Sequence, residues 1–118
     1  MPTLLAAAIL AAAPASIAAR AEPALTPPQA AALRCGVVFA LGARLQADKS
    51  PLAAGWPQLG TRGKEYFVRV TAQLLDDTGA SRETLSAMAM RQASALSDPA
   101  AMAAAMPGCL SLLDASGQ

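Results

Sequence analysis

The residues that could carry out chemistry are few, and they lack the partners that catalysis needs. The chain contains no histidine, which excludes a Ser-His-Asp triad, a Cys-His pair and a His-ligated metal. Asp76 and Asp77 are adjacent, so on a helix their side chains splay by about 100° and cannot easily share a substrate proton. Glu65, Glu83 and Ser81 have no identifiable catalytic partner. We therefore predict no catalytic residue, no metal, no cofactor and no enzymatic activity.

Cys35 and Cys109 are the two cysteines of the chain, so one intramolecular pairing is available. In an oxidising compartment such a pair forms a disulfide by default. The disulfide would close the long loop between residues 35 and 109, which stabilises a fold by about 4 kcal/mol in the chain-entropy model. A redox or metal-binding thiol pair is disfavoured, because there is no C-x-x-C spacing and no histidine or third cysteine.

Three basic residues, Arg62, Lys64 and Arg69, cluster near the start of a helix that the sequence predicts from about Arg62 to Asp77. Cations there oppose the helix macrodipole by roughly 0.3–1 kcal/mol each, and local conflicts of this kind can mark functional sites. One hypothesis is a contact with an anion or a partner at these residues, with Trp56 as an exposed anchor. The alternatives are a solvated charged helix end and a loop tryptophan that folds back over the core.

Methionines raise a second hypothesis, Cu(I) binding by thioethers, since four of them fall between residues 88 and 106. Met88 and Met90 are two apart, so a helix points them in nearly opposite directions. Met102 and Met106 share a face, but two sulfurs alone make a poor metal site. The favoured interpretation is that methionine fills gaps in an alanine-rich core.

The first 21 residues have the features of a cleavable signal peptide. An uncharged apolar run covers residues 4–13, and Ala19-Arg20-Ala21 fits the small-x-small cleavage pattern, although a positively charged n-region is missing. The run is shorter than the roughly 20 residues of a membrane span. We therefore expect a signal peptide at 1–21, a helical domain at 22–118, location in the periplasm or secretion, and no stable membrane span after cleavage.

The mature chain is electrically balanced. Arg20 is the one charged residue before Glu22, so removing the leader leaves eight basic residues against eight acidic ones. A net charge of zero gives no global case for binding nucleic acid or an anionic membrane surface.

The first helix of the mature chain has clear start and stop signals. Thr26 and Gln29 fit a capping box with Pro27 at the first helical position, and Ser50-Pro51 disfavours continuation beyond about Asp48. Its apolar stripe consists of Leu33, Val37, Leu41 and Leu45, with Ala30 and Val38 beside them. Gly36 and Gly42 weaken the helix by about 1 kcal/mol each relative to alanine, but they allow another helix to approach closely.

Three further helices follow a connector at residues 49–61. The second runs from Arg62 to Asp77 and stops at Gly79, the third runs from an N-cap at Ser81 to about Ser97, and Asp98 caps the fourth. The inward-facing positions are Phe67, Val70, Thr71 and Leu74, then Leu85, Met88, Ala89 and Leu96, then Met102, Ala103 and Met106. Pro107-Gly108 is expected to break or kink the fourth helix before a short final turn. The prediction is an all-α, small four-helix domain with one disulfide.

Three sequence elements carry a resemblance to small, alanine-rich exported bacterial proteins of unknown function. They are Arg34-Cys35, the pattern Gly60-x-x-Gly63-Lys64-Glu65-Tyr66-Phe67-Val68-Arg69, and Pro107-Gly108-Cys109-Leu110-Ser111-Leu112-Leu113-Asp114. The resemblance implies a signal peptide and a helical domain, and it transfers no catalytic residue. The arrangement is also similar in architecture to exported helical immunity proteins, which bind and block a toxin.

These observations favour a non-catalytic binding or structural protein of the cell envelope, whose partner is an envelope or secreted protein. The alternatives are an inhibitor or immunity-type protein, and a carrier of a small ligand or metal within the helical bundle. A binding protein should expose a contiguous apolar or charged patch that includes Trp56 or the Arg62 cluster, whereas a carrier should enclose a cavity lined by Met88, Met102 or Leu74. The sequence does not specify an oligomeric state.

Overall fold

The computed structural model describes residues 22–117, together with residues 2 and 3, and the structural statements below concern those residues. The predicted signal peptide, apart from these two residues, lies outside the described part of the chain. Four α-helices form the domain: α1 (Pro27–Ala47), α2 (Arg62–Thr78), α3 (Arg82–Ala95) and α4 (Pro99–Ala115), with a 3₁₀ turn at Pro51–Ala53 after α1. The described residues contain no strand, and the predicted all-α four-helix fold is confirmed.

Local side-chain caps set three of the four helix N-termini, as predicted. At α1, the Thr26 hydroxyl accepts from the Gln29 backbone N–H at 3.3 Å, and the Gln29 side chain accepts from the Thr26 N–H at 2.9 Å. Ser81 caps α3 and Asp98 caps α4 in the same way. Gly79 ends α2 in the left-handed region, with φ at 68°, a backbone conformation that suits glycine.

The fourth helix departs from the prediction, because α4 runs through Pro107 as one element. Pro107 and Gly108 are both exposed, so the proline ring meets no packed neighbour. The missing proline N–H would have bonded the carbonyl of Ala103, which is also exposed and accessible to water. The predicted break is therefore wrong, and so is the inward assignment of Ala103, since Ala105 is the buried alanine of this helix.

The first helix is the centre of the fold and contacts the other three helices. Five consecutive residues, from Cys35 to Phe39, are buried, which happens only when a helix is covered on several sides. Of the predicted stripe, Leu33 and Val37 are fully buried, while Leu41 and Leu45 pack at the edge of the core. The single stripe expected from the sequence therefore underestimates how much of α1 is enclosed.

The inward faces of α2 and α3 follow the predicted register with one change. Val70 and Leu74 are buried on α2, but Tyr66 is more deeply buried there than the predicted Phe67. The Tyr66 ring meets Phe39 edge to face, with centroids 5.1 Å apart. On α3, Leu85 and Met88 are buried, and Leu96 is buried just after the helix, as predicted. Because adjacent helix positions point about 100° apart, the buried face of α2 is rotated toward Tyr66 and away from the predicted Phe67 and Thr71, which are half-buried and line an open surface.

Glycines allow the helices to pack closely, as expected for Gly36 and Gly42. A Cβ on Gly36 would lie 3.1 Å from the Phe67 ring, and a Cβ on Gly42 would lie 2.8 Å from Leu59 Cδ1. A Cβ on Gly63 of α2 would fall 2.8 Å from Phe39 Cβ, the side-chain atom attached directly to the backbone of α1. The α1–α2 contact therefore depends on the absence of side chains at Gly36 and Gly63, whereas Gly42 makes room for side chains of the connector and of α4.

The predicted disulfide is present between Cys35 of α1 and Cys109 of α4. The two Cα atoms lie 5.1 Å apart, within the usual range for a disulfide, and both residues are buried. The bond joins positions 74 residues apart in the sequence, so it links the central helix directly to the C-terminal helix. At the other end, Glu22 forms an ion pair with Arg91 and ties the segment before α1 to α3.

Among the described residues, α1 is the one single helix long and apolar enough to cross a membrane by length and composition. The pair formed by α3 and α4 would meet the same criterion only as a span bent by 116°. A helix at the centre of a core also satisfies this test. Because α1 contacts the three other helices, core packing accounts for its apolar length.

Candidate functional site

An open groove of about 570 Å³ lies between α1, α2 and α3. Its lining is mainly apolar, and α4 contributes none of the lining residues. The lining consists of Val37, Ala40 and Leu41 from α1, Phe67, Val68, Thr71, Ala72 and Leu75 from α2, and Arg82, Leu85, Ser86, Ala89, Met90 and Ala93 from α3. We refer to this surface as the groove.

The spacing of these residues explains why the groove forms. On α2, Val68, Ala72 and Leu75 recur at intervals of four and three residues, and on α3 Ser86, Met90 and Ala93 do the same. Each set forms a face of its helix beside the face that packs into the core. The two helices thus carry a second, less covered stripe of mostly apolar side chains, and the stripes oppose each other across α1.

Large apolar side chains at the groove are left in contact with water. Val68 is 55% exposed and Met90 is 70% exposed. The described residues include one other exposed large hydrophobic residue, Leu112 on α4. Single exposed apolar residues are ordinary, but two that flank one mainly apolar groove mark a surface suited to binding.

A second open depression, of about 690 Å³, adjoins the groove along α2. It is lined by Gly60, Thr61, Lys64, Glu65, Val68, Arg69 and Ala72, and we call it the basic shelf. Val68 and Ala72 border both the groove and the basic shelf. The apolar groove and the basic shelf therefore form one continuous surface around the exposed side of α2.

The predicted basic cluster is divided by the fold. Lys64 and Arg69 lie together on the basic shelf, beside the groove. Arg62 forms an ion pair with Asp114 at 3.2 Å, which links the start of α2 to α4. One of the free N–H groups that an anion would need, that of Gly63, already donates to the Leu59 carbonyl at 2.9 Å. The three cations thus do not converge on a single anion at the helix terminus.

Trp56 lies against the core and does not line the groove. Its ring passes 3.7 Å from the point where a Cβ on Gly42 would lie. The Gln46 side chain holds this connector on α1, donating to the Pro57 carbonyl at 2.7 Å and accepting from the Leu59 N–H at 3.0 Å. The geometry corresponds to the alternative in which the loop tryptophan folds back over the bundle.

The methionines separate as the helical spacing predicts. Met88, Met102 and Met106 are buried in the core, whereas Met90 points outward at the groove. Within the described part of the chain, no group of three or more His, Cys, Asp or Glu residues is placed to hold a metal ion. Leu74, predicted to line a carrier cavity, borders only an open depression of about 190 Å³ beside Gln29 and Asp77.

Burial raises the pKa of the Tyr66 phenol, because the charged phenolate is poorly solvated beside Phe39. Tyr66 lies on the core face of α2 and lines neither the groove nor the basic shelf. The raised pKa therefore reflects packing of the core and does not identify a reactive group.

Sequence reasoning missed Val68 and Met90, the two residues that give the groove its exposed apolar character. The available signal was the second stripe on each helix, which a search for one core-facing stripe per helix overlooks. No protein-family model, curated protein sequence or solved structure matches the chain. The groove and the basic shelf are consequently the observations from which a function can be argued.

Proposed function

We propose that this chain is an exported, non-catalytic binding protein of the cell envelope, and that it holds a protein partner on the groove. The observation that carries the proposal is the open apolar surface flanked by Val68 and Met90. A carrier of a small ligand would instead bury most of that ligand in a closed site. An open groove between helices is better suited to a larger partner that covers it.

Two features support placement outside the cytoplasm. The apolar run at residues 4–13 is compatible with a signal sequence, and the Cys35–Cys109 disulfide is compatible with an oxidising compartment. Export with cleavage after Ala21 is the finer proposal. It would leave Glu22 as the first residue, next to its ion pair with Arg91.

The proposal is tested by site-specific photo-cross-linking in bacteria that export the full chain. A photoreactive residue at Val68 or Met90 should give a defined protein adduct, whereas the same residue at Ala104 should not. Ala104 is a matched control, because it is exposed in the middle of α4 and lies outside the groove. Mass measurement of the exported protein should also show a chain that begins at Glu22.

Substituting the groove distinguishes specific contact from accidental proximity. Met90→Asp should abolish the adduct formed from position 68, since a carboxylate on the apolar wall cannot be buried without a large desolvation cost. Equal cross-linking from positions 68, 90 and 104, or an adduct unaffected by Met90→Asp, would rule out the groove as the binding surface.

A further inference from the structure

We infer that the partner segment that occupies the groove is an amphipathic α-helix with acidic residues beside its apolar face. This inference rests on the proposed function and specifies the chemistry of the partner. It follows from the shape of the groove, from the backbone requirements of the occupant, and from the charges around the rim.

The shape of the groove matches a helix of a few turns. Its α3 wall extends from Arg82 to Ala93, a length of about 16 Å at the helical rise per residue. Small residues such as Ala40, Ala72 and Ala89 form much of the lining, so the larger side chains of an incoming helix have room between the walls. Met90 at the rim is a side chain that adapts to the shape of its partner.

The backbone requirements favour a helix over an extended strand as the occupant of the groove. A strand in the groove would need hydrogen-bond partners for its own N–H and C=O groups, and the helical walls have already used theirs internally. A helix satisfies its backbone groups itself and can lay an apolar face on an apolar surface. The described chain offers no strand edge to which a peptide could add.

The charges at the rim select the flanks of that helix. Arg82 lines the groove on α3, while Lys64 and Arg69 line the basic shelf on the other side of α2. Glu65 is the one carboxylate among the residues that line these two surfaces, so three positive charges face one negative charge there. The predicted mature chain as a whole has no net charge, so positive charge is locally concentrated at this rim. Acidic side chains flanking the partner's apolar stripe complement this rim.

The positions of two of these cations within their helices support a role in binding. Lys64 and Arg82 lie in the first turns of α2 and α3, where a positive charge is unfavourable for the helix itself. Their charge reversals, Lys64→Glu and Arg82→Glu, should therefore preserve or improve helix stability. A loss of binding in these variants cannot be attributed to loss of fold, and thermal unfolding of each variant checks this directly.

The test uses two labelled helical peptides of about 14 residues, roughly four turns, that share one leucine stripe. One peptide carries glutamate beside the stripe and the other carries lysine. Fluorescence anisotropy with the mature protein should show tighter binding of the glutamate peptide. Each charge reversal, Lys64→Glu or Arg82→Glu, should weaken binding of the glutamate peptide about two- to fivefold and should strengthen binding of the lysine peptide. About 0.5 M salt should reduce both effects. Arg34→Glu, an exposed reversal within α1 and outside both surfaces, is the control.

The outcomes separate this inference from the proposed function. Equal binding of the two peptides, or charge reversals with no effect while position 68 still cross-links a partner, would overturn the acidic-helix inference alone. Binding of a fluorescent fatty acid with the same dependence on Arg82, without binding of either peptide, would instead assign the groove to an anionic lipid. Self-association that Met90→Asp abolishes would assign it to a second copy of the chain.

Discussion

Replacing Gly63 with alanine should destabilise the domain, although alanine is the better helix former. Gly63 occupies the second position of α2 and faces Phe39 of the central helix. The added Cβ would lie 2.8 Å from Phe39 Cβ, about 0.7 Å closer than two carbons pack comfortably. A Cβ atom cannot rotate away, and Phe39 is 0% exposed, so the contact is relieved only by moving α1 and α2 apart.

The size of the effect follows from two opposing contributions. Overpacking of a dense core costs about 1–3 kcal/mol. The gain in helix propensity is about 1 kcal/mol in a helix interior and smaller near a terminus. The free energy of unfolding of Gly63→Ala should therefore fall by about 1–2 kcal/mol. In a domain of this size, the midpoint of thermal unfolding should fall by roughly 5–15 °C.

Gly108→Ala is the matched control, because Gly108 also lies within a helix but a Cβ there would have no neighbour within 4 Å. This variant should gain about 0.5–1 kcal/mol from propensity alone. Both variants of the mature domain, with the disulfide intact, are compared by urea unfolding monitored by circular dichroism. If Gly63→Ala is as stable as Gly108→Ala, the close contact between α1 and α2 does not limit stability and the reasoning fails.

Three further outcomes are expected. Replacing Cys35 and Cys109 with alanine should lower the free energy of unfolding by about 4 kcal/mol, and urea midpoints equal to those of the oxidised protein would contradict this. Gln46→Ala should lower the free energy of unfolding by about 1–3 kcal/mol, because it removes the hydrogen bonds that hold the connector on α1. Trp56 fluorescence should then shift to longer wavelength, and an unchanged spectrum would contradict the role of Gln46 in holding the connector. Burial raises the pKa of the Tyr66 phenol, so as pH rises the phenol ionises in the unfolded chain before it ionises in the folded domain. The stability that comes from keeping this phenol neutral is therefore complete below about pH 10 and is lost as pH rises through the pKa of the folded state. Tyr66→Phe should reduce that alkaline loss in unfolding curves, and an identical pH dependence would refute it.

Sequence reasoning located the helix ends well because each end is set by neighbours in the chain. The reciprocal bonds of Thr26 and Gln29, the caps at Ser81 and Asp98, and the left-handed Gly79 involve groups within a few residues of one another. Such interactions can be predicted from spacing alone. The disulfide was predictable for a different reason, since two cysteines permit only one intramolecular pairing.

Features that depend on packing between helices were predicted less well. Pro107 was expected to interrupt α4, but its effect depends on which side of the helix faces solvent, and spacing along the chain does not settle that. Phe39 and Leu59 are among the most deeply buried side chains, yet Phe39 lies off the predicted stripe and Leu59 lies in the connector. Their burial becomes clear only when α1 is seen to be covered on several sides.

Sequence reasoning singled out some of the residues that line the two surfaces and overlooked the groove itself. The groove was overlooked because small side chains can either pack against a neighbour or leave space unfilled. Lys64 and Arg69 were singled out from the sequence and do lie on the basic shelf, whereas Trp56 and Arg62 contact other parts of the domain. An alanine contributes little burial energy wherever it lies, so the sequence alone does not show which alanines pack against a neighbour. In the groove, alanines leave space instead of filling it.

Small residues both allow close helix contacts and leave the groove open in this domain, and both effects arise because large apolar side chains are few. A core with few large side chains needs close helix contacts, and Gly36, Gly42 and Gly63 provide them on the covered sides of α1. Between α2 and α3, small side chains such as Ala40 leave the gap unfilled, so the groove stays open. The Cys35–Cys109 bond stabilises the domain through α4, which does not line the groove. Stability and the proposed binding should therefore be separable. Removing the disulfide should lower stability much more than affinity for a partner, whereas Met90→Asp should do the reverse.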